Sequence, residues 1–134
     1  MVELVNAAVD YSGAVEISFA KGQNTHDGHV AGAGEEGFTV STTTLAEQVK
    51  KLPDEEYILV CDIEGAELDL SLNEKEALSR VYLLILETHP EIYPKKDMDY
   101  KKMKKNIKNA GLIEIEKSGA VMCFASKTAM KDLK

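Results

Sequence analysis

Tyr57-Ile58-Leu59-Val60-Cys61-Asp62-Ile63-Glu64-Gly65-Ala66-Glu67 decides the fold. Its apolar and aromatic residues run without interruption from 57 to 61, then give way to acids around a glycine. A run without alternation suits a strand covered on both faces, as in the parallel sheet of an α/β protein. The acids then fall at the strand's carboxyl end, where open α/β sheets place their ligand crevice. A second run, Val81-Tyr82-Leu83-Leu84-Ile85-Leu86, ends in Glu87-Thr88-His89. Two such strands side by side would set Asp62 and Glu64 beside Glu87 and His89.

Upstream of this stretch, Phe38-Thr39-Val40-Ser41-Thr42-Thr43 is β-branched and strand-like. Thr44-Leu45-Ala46-Glu47 has the spacing of a capping box, with Leu45, Val49 and Leu52 on one helical face and Pro53 as the stop. Residues 1–9 and 14–19 read as two strands, paired as a hairpin or as successive edges around Asp10-Tyr11-Ser12-Gly13. Residues 21–37 read as a flexible surface loop. Its Gly32-Ala33-Gly34 tract lacks the preceding strand and the spacing of a phosphate loop, and His26 and His29 have no further ligands nearby in sequence.

Downstream, residues 68–72 have no clear state, and Asn73 is placed to cap a short helix reaching Arg80. Asp97 or Asp99 is expected to cap the longest helix. That helix would bury Tyr100, Met103, Ile107 and Ala110 and stop at Gly111. Leu112-Ile113-Glu114-Ile115-Glu116 and Ala120-Val121-Met122-Cys123-Phe124-Ala125, joined by Lys117-Ser118-Gly119, form an antiparallel hairpin.

With 134 residues the chain is expected to be one domain, able to bury roughly two-thirds of its unfolded surface. A formal net charge of -7 argues against a nucleic-acid surface, which needs a basic patch to displace counterions. The lysines between 95 and 108 are interleaved with acids at helical spacing and read as a solvated face. Cys61 and Cys123 lie in apolar strands and read as buried free thiols. With no leader and no apolar segment near the ~18 residues of a spanning helix, a cytoplasmic protein without membrane association is expected.

The chain resembles the second half of the FkbM family of S-adenosylmethionine-dependent methyltransferases. The resemblance is carried by Asn6-Ala7-Ala8-Val9 with Gly13, by Val40-Ser41-Thr42-Thr43-Thr44-Leu45, and above all by Asp62-Ile63-Glu64-Gly65-Ala66-Glu67. Residues 81–87 and the Asn109-Ala110-Gly111-Leu112 helix exit keep the same rhythm. The resemblance implies an α/β fold: a partial, Rossmann-like methyltransferase sheet, mostly parallel and closed by an antiparallel hairpin. Its last strand would insert between residues 81–86 and 112–116. It implies that residues 1–134 are a single truncated methyltransferase-like domain, short of a complete one by on the order of a hundred residues. The family's glycine turn and ribose-binding acid are not found before the first strand, and Ala46 stands where the family has an acid.

The resemblance further implies O-methyl transfer from S-adenosylmethionine to a small-molecule or sugar hydroxyl in the intact parent, with this chain inactive alone. The expected catalytic residues are Asp62, Glu64 and His89, and the expected cofactor-binding residues are Asn6, Ala7, Ala8 and Asp62, with no metal. Plainer roles fit the same residues. Asp62 could cap a turn, Glu64 and Glu67 could serve the Gly65 turn, Glu87 could be a buried partner, and His89 before Pro90 could be a loop residue. Two other functions stay open. One is a non-enzymatic remnant acting as a binding or structural homodimer through an exposed sheet edge. The other is a metal-assisted hydrolase built on Asp62, Glu64, Glu87 and His89.

Overall fold

The structure, a computed structural model, describes residues 2–20, 29–30 and 37–132. The chain divides into two compact units, Met1–Thr44 and Leu45–Lys134.

The first unit contains strands β1 (Ala8–Val9), β2 (Glu16–Ala20), β3 (His29–Val30) and β4 (Gly37–Thr43), in the sheet order β1-β4-β2-β3. The hairpin expected between its first two strands is not formed. Instead β4 lies between them, parallel to β1 through Ala8 and Thr42 and antiparallel to β2 through Ile17 and Val40. The local cause is a turn closed by Asp10, whose carboxylate accepts from the Ser12 amide at 2.9 Å and the Ser12 hydroxyl at 2.5 Å. Thr42 then donates its amide to the Val15 carbonyl and its hydroxyl to the Ala14 carbonyl on the β2 side, while the Thr43 carbonyl accepts from the Asp10 amide on the β1 side. Residues 21–28 and 31–36, with His26 and Gly32-Ala33-Gly34, lie outside the described residues, while His29 is part of β3.

In the second unit, strands β5 (Tyr57–Cys61), β6 (Val81–Glu87), β7 (Ile113–Ser118) and β8 (Val121–Ala125) form a sheet in the order β5-β6-β8-β7. Helices α1 (Leu45–Val49), α2 (Glu67–Asn73), α3 (Lys75–Ser79), α4 (Asp97–Asn109) and α5 (Lys127–Asp132) complete it. β5 and β6 are parallel, with Leu59 beside Leu84 and Cys61 beside Leu86. β8 enters between β6 and β7, antiparallel to both, as the resemblance implied for the last strand.

The expectation of a mostly parallel, Rossmann-like sheet is overturned. Among the described residues there are two mixed sheets, and each holds a single parallel pair, β1 with β4 and β5 with β6. The remaining pairs are antiparallel. The physical reason lies in the connections. Parallel neighbours need a long crossover, which α2 and α3 supply between β5 and β6. The tight Ser118–Val121 reversal, with Gly119 at a φ of +59°, can only turn the chain back on itself.

The sheet of the second unit is fully covered on one face and partly covered on the other, where Ala125 is buried and Leu83 and Ile85 are half-buried. Leu84, Leu86, Met122 and Phe124 are fully buried together with Leu78, Met103 and Ile107 of the helices. On the opposite face of β5, Ile58 is 61% and Val60 71% exposed. The uninterrupted apolar run therefore does not mark a strand covered on both faces. β5 is an edge strand, and only its inward residues are shielded.

Several helix details differ from the sequence reading. Asn73 ends α2 instead of capping α3, and its side chain donates to the Asp69 carbonyl at 2.7 Å. Glu74 does the capping work, but for α1, accepting from the Ala46 amide at 3.0 Å. Asp97 is the first residue of α4, and Asp99 reaches back to accept from the Lys95 amide at 2.8 Å. Met103 and Ile107 of α4 and Ala110 at its end are buried as expected, whereas Tyr100 is only half-buried. Gly111, at a φ of +101°, donates to the Lys108 carbonyl, and Leu112 to that of Ile107, which is a Schellman stop. Helix α5 was not expected. Its sign in the sequence was Ser126, whose hydroxyl accepts from the Ala129 amide. Cys61 and Cys123 are free thiols; Cys61 is buried as expected, whereas Cys123 is only half-buried. Among the described residues, no helix is long and apolar enough to cross a membrane.

Candidate functional site

The end of β5 is turned sharply by Glu64 and Gly65, whose φ values are +49° and +104°. A Cβ at position 65 would stand 3.3 Å from the Ile92 side chain, so both space and backbone favour glycine. The turn starts α2 at Glu67, which bends back to accept from the Gly65 amide at 2.8 Å. Asp62 and Glu64 are left half-exposed, with side chains 52% and 43% accessible. The plainer reading of Glu67 as a residue serving the Gly65 turn is thus correct, but incomplete.

Glu67 is wholly buried, and its two oxygens have three partners. Oε1 receives the Gly65 amide and lies 3.0 Å from His89 Nδ1, while Oε2 accepts from the Tyr93 hydroxyl at 2.7 Å. Tyr93 is itself buried and stands 3.4 Å from Met103 Sδ, so the polar group is enclosed by the α4 packing. His89 follows the end of β6, where Thr88 anchors the chain through its amide and hydroxyl to the Ala120 carbonyl. That anchor and the Glu67 contact fix the imidazole so that Nε2 faces Asp62 Oδ1 at 3.8 Å and Glu64 Oε2 at 3.5 Å.

The electrostatics follow from this arrangement. Burial alone would lower the His89 pKa, but the hydrogen bond to Glu67 and the charges of Glu67, Glu64 and Asp62 outweigh it and raise it above the ordinary value. Burial, the Glu67 hydrogen bond and the Glu67 charge push the Tyr93 hydroxyl far up, keeping it a donor. Burial, aided by the charges of Glu67 and Asp62, pushes the Cys61 thiol up to about 12. Cys61 is therefore no nucleophile at neutral pH.

Of the sequence candidates, Asp62, Glu64 and His89 are brought together: one oxygen or nitrogen from each lies within 4.8 Å of the others. Glu87 is not a member of that trio. It lines a neighbouring cleft of roughly 470 Å³ together with His89, Glu91, Asp97, Tyr100 and Lys117. Asn6, Ala7 and Ala8 belong to the first unit, whereas Asp62 belongs to the second. An amide and a carboxylate suit the adenine and ribose of S-adenosylmethionine, but no single unit holds both groups. In the sequence Tyr93 reads only as part of the loop before Pro94, and Glu67 has no link to His89. The acid at 67 was visible in the Asp-Ile-Glu-Gly-Ala-Glu run, whereas nothing near Tyr93 marked it.

No family model, no curated protein and no solved structure matches the chain.

Proposed function

We propose that this chain supplies the acceptor side of an FkbM-like, S-adenosylmethionine-dependent O-methyltransferase acting on a small-molecule or sugar hydroxyl. The observation that carries the reading is His89, held through Nδ1 by a buried Glu67 and presenting Nε2 to Asp62 and Glu64. Methyl transfer to oxygen depends on aligning donor and acceptor and on removing the hydroxyl proton as the bond forms. In this reading Asp62 and Glu64 orient the acceptor hydroxyl and His89 takes its proton. Glu67 then stabilises the imidazolium. The cleft beside His89, with Glu87, Glu91 and Asp97 on its walls, offers hydrogen-bond acceptors for a polyol. S-adenosylmethionine would supply the methyl group. The roles of Asn6, Ala7, Ala8 and Asp62 in holding it rest on the sequence resemblance. The free thiols of Cys61 and Cys123 suit a reducing, cytoplasmic setting.

Calorimetric titration with S-adenosylhomocysteine tests the reading. Because the family's glycine turn and ribose-binding acid are not found before the first strand, only weak saturable heat is expected, weakened further in Asp62→Asn. A folded protein giving no heat would instead favour a non-enzymatic module.

That second reading has its own support, the apolar edge strand β5 with Ile58 and Val60 exposed. Two copies pairing at this edge would form a homodimer. Sedimentation should then show a dimer that Val60→Lys converts to monomer. A monomer at high concentration removes this reading.

A further inference from the structure

The same three side chains carry a second possibility that acid–base chemistry does not require. The separations of His89 Nε2 from Asp62 and Glu64, 3.8 and 3.5 Å, are longer than hydrogen bonds. Ligand atoms about 2.0–2.2 Å from one shared cation stand roughly 3.0–3.5 Å apart, depending on the bond angle. Small rotations of two half-exposed carboxylates would close the difference.

The histidine is prepared in the manner of a metal ligand. Metal-bound histidines nearly always give their other ring nitrogen to a carboxylate or carbonyl, which fixes the tautomer. With Nδ1–H donated to Glu67, the lone pair of the neutral ring is at Nε2, on the side of Asp62 and Glu64. Charge points the same way. Asp62, Glu64 and Glu67 surround one imidazole, and among the described residues no lysine or arginine forms an ion pair with any of them.

We propose that Asp62, Glu64 and His89 Nε2 form a three-ligand site for a divalent metal ion, with Glu67 as the buried residue that orients the imidazole. Two carboxylates and one imidazole suit Mn²⁺ or Zn²⁺ better than a thiolate-seeking ion. The exposure of Asp62 and Glu64 leaves the remaining positions to water or to a substrate oxygen. The proposal deepens the hydroxyl-activating reading of this site by replacing its base: in the loaded state His89 holds the ion instead of a proton, and the ion acts as a Lewis acid that lowers the pKa of a bound hydroxyl, whose proton leaves to solvent water. It rests on the site assigned there, but not on the reaction being methyl transfer.

The test uses Mn²⁺ alone, with the full chain stripped by chelator and no S-adenosyl compound present. Loss of the free-ion electron paramagnetic resonance signal should report one bound Mn²⁺ per chain. Affinity should fall at least ~10-fold in Asp62→Asn and in Glu64→Gln, whose side chains are half-exposed and tolerate the change, and by roughly 10–100-fold in Glu67→Gln if it folds. Electron spin-echo modulation from one directly bound imidazole nitrogen should appear and vanish in His89→Gln. A folded wild-type chain that binds no Mn²⁺ at millimolar concentration would overturn the site, as would undiminished binding in Asp62→Asn and Glu64→Gln. Binding without nitrogen modulation would also overturn it, because the imidazole is central to it. Since S-adenosylhomocysteine is absent, failure here and failure of methyl transfer are read separately.

Discussion

Glu67 and His89 meet at 3.0 Å between Oε1 and Nδ1, and Glu67 has no exposure to solvent. The contact joins the start of α2 to the end of β6 and orients the imidazole toward Asp62 and Glu64. Its first consequence is a pH dependence. The His89 pKa in metal-free protein should lie above its ordinary value of 6.5, as read by NMR of the ring protons, and Glu67→Gln should lower it. A folded-state pKa raised above the unfolded one gives stability that is complete below the unfolded value and disappears as pH rises through the folded value. Urea midpoints of wild type and His89→Gln should therefore differ more at about pH 5.5 than at about pH 8.5. A gap that widens with pH would contradict the geometry.

Tyr93 tests the buried end of the same network. Its hydroxyl donates to Glu67 Oε2 at 2.7 Å, inside the protein. Tyr93→Phe leaves a buried carboxylate oxygen without that donor and should destabilise by about 1.5–3 kcal/mol in urea unfolding. The His89 ring should also show increased mobility in NMR relaxation, because its anchor is itself less well held.

Cys61 should resist alkylation. It is buried, and its thiol is pushed up to about 12, so almost no thiolate exists at neutral pH. Iodoacetamide at about pH 8 should leave Cys61 unmodified in the native protein and label it in denaturant, as mapped by mass spectrometry. Rapid native labelling would show that the end of β5 opens.

The two faces of the second unit's sheet should respond very differently to truncation. Phe124 is fully buried, and Phe124→Ala should cost about 3–5 kcal/mol. Val60 is 71% exposed, so Val60→Ala should change stability by less than about 0.5 kcal/mol. Paired denaturation curves decide it. A large loss at Val60 would mean that the outer face of β5 is covered in solution.

The sequence by itself determined the local elements and the ends of the two central strands. Gly111 at the α4 exit, the Met103 and Ile107 stripe and the 113–125 hairpin were legible because each depends on neighbours a few residues away. The acids after Cys61 and the histidine after Glu87 were also legible, since parallel strands end on the same side. Tertiary structure alone decided which partners each strand took. An apolar run such as Tyr57–Cys61 reads alike in a central and an edge strand, and only the sheet order shows that Ile58 and Val60 face outward. It also decided that Glu67 meets His89 and Tyr93 and that Glu74 caps α1. Those contacts span 22, 26 and 28 positions, and no periodicity encodes a hydrogen bond between residues that only chain folding brings together.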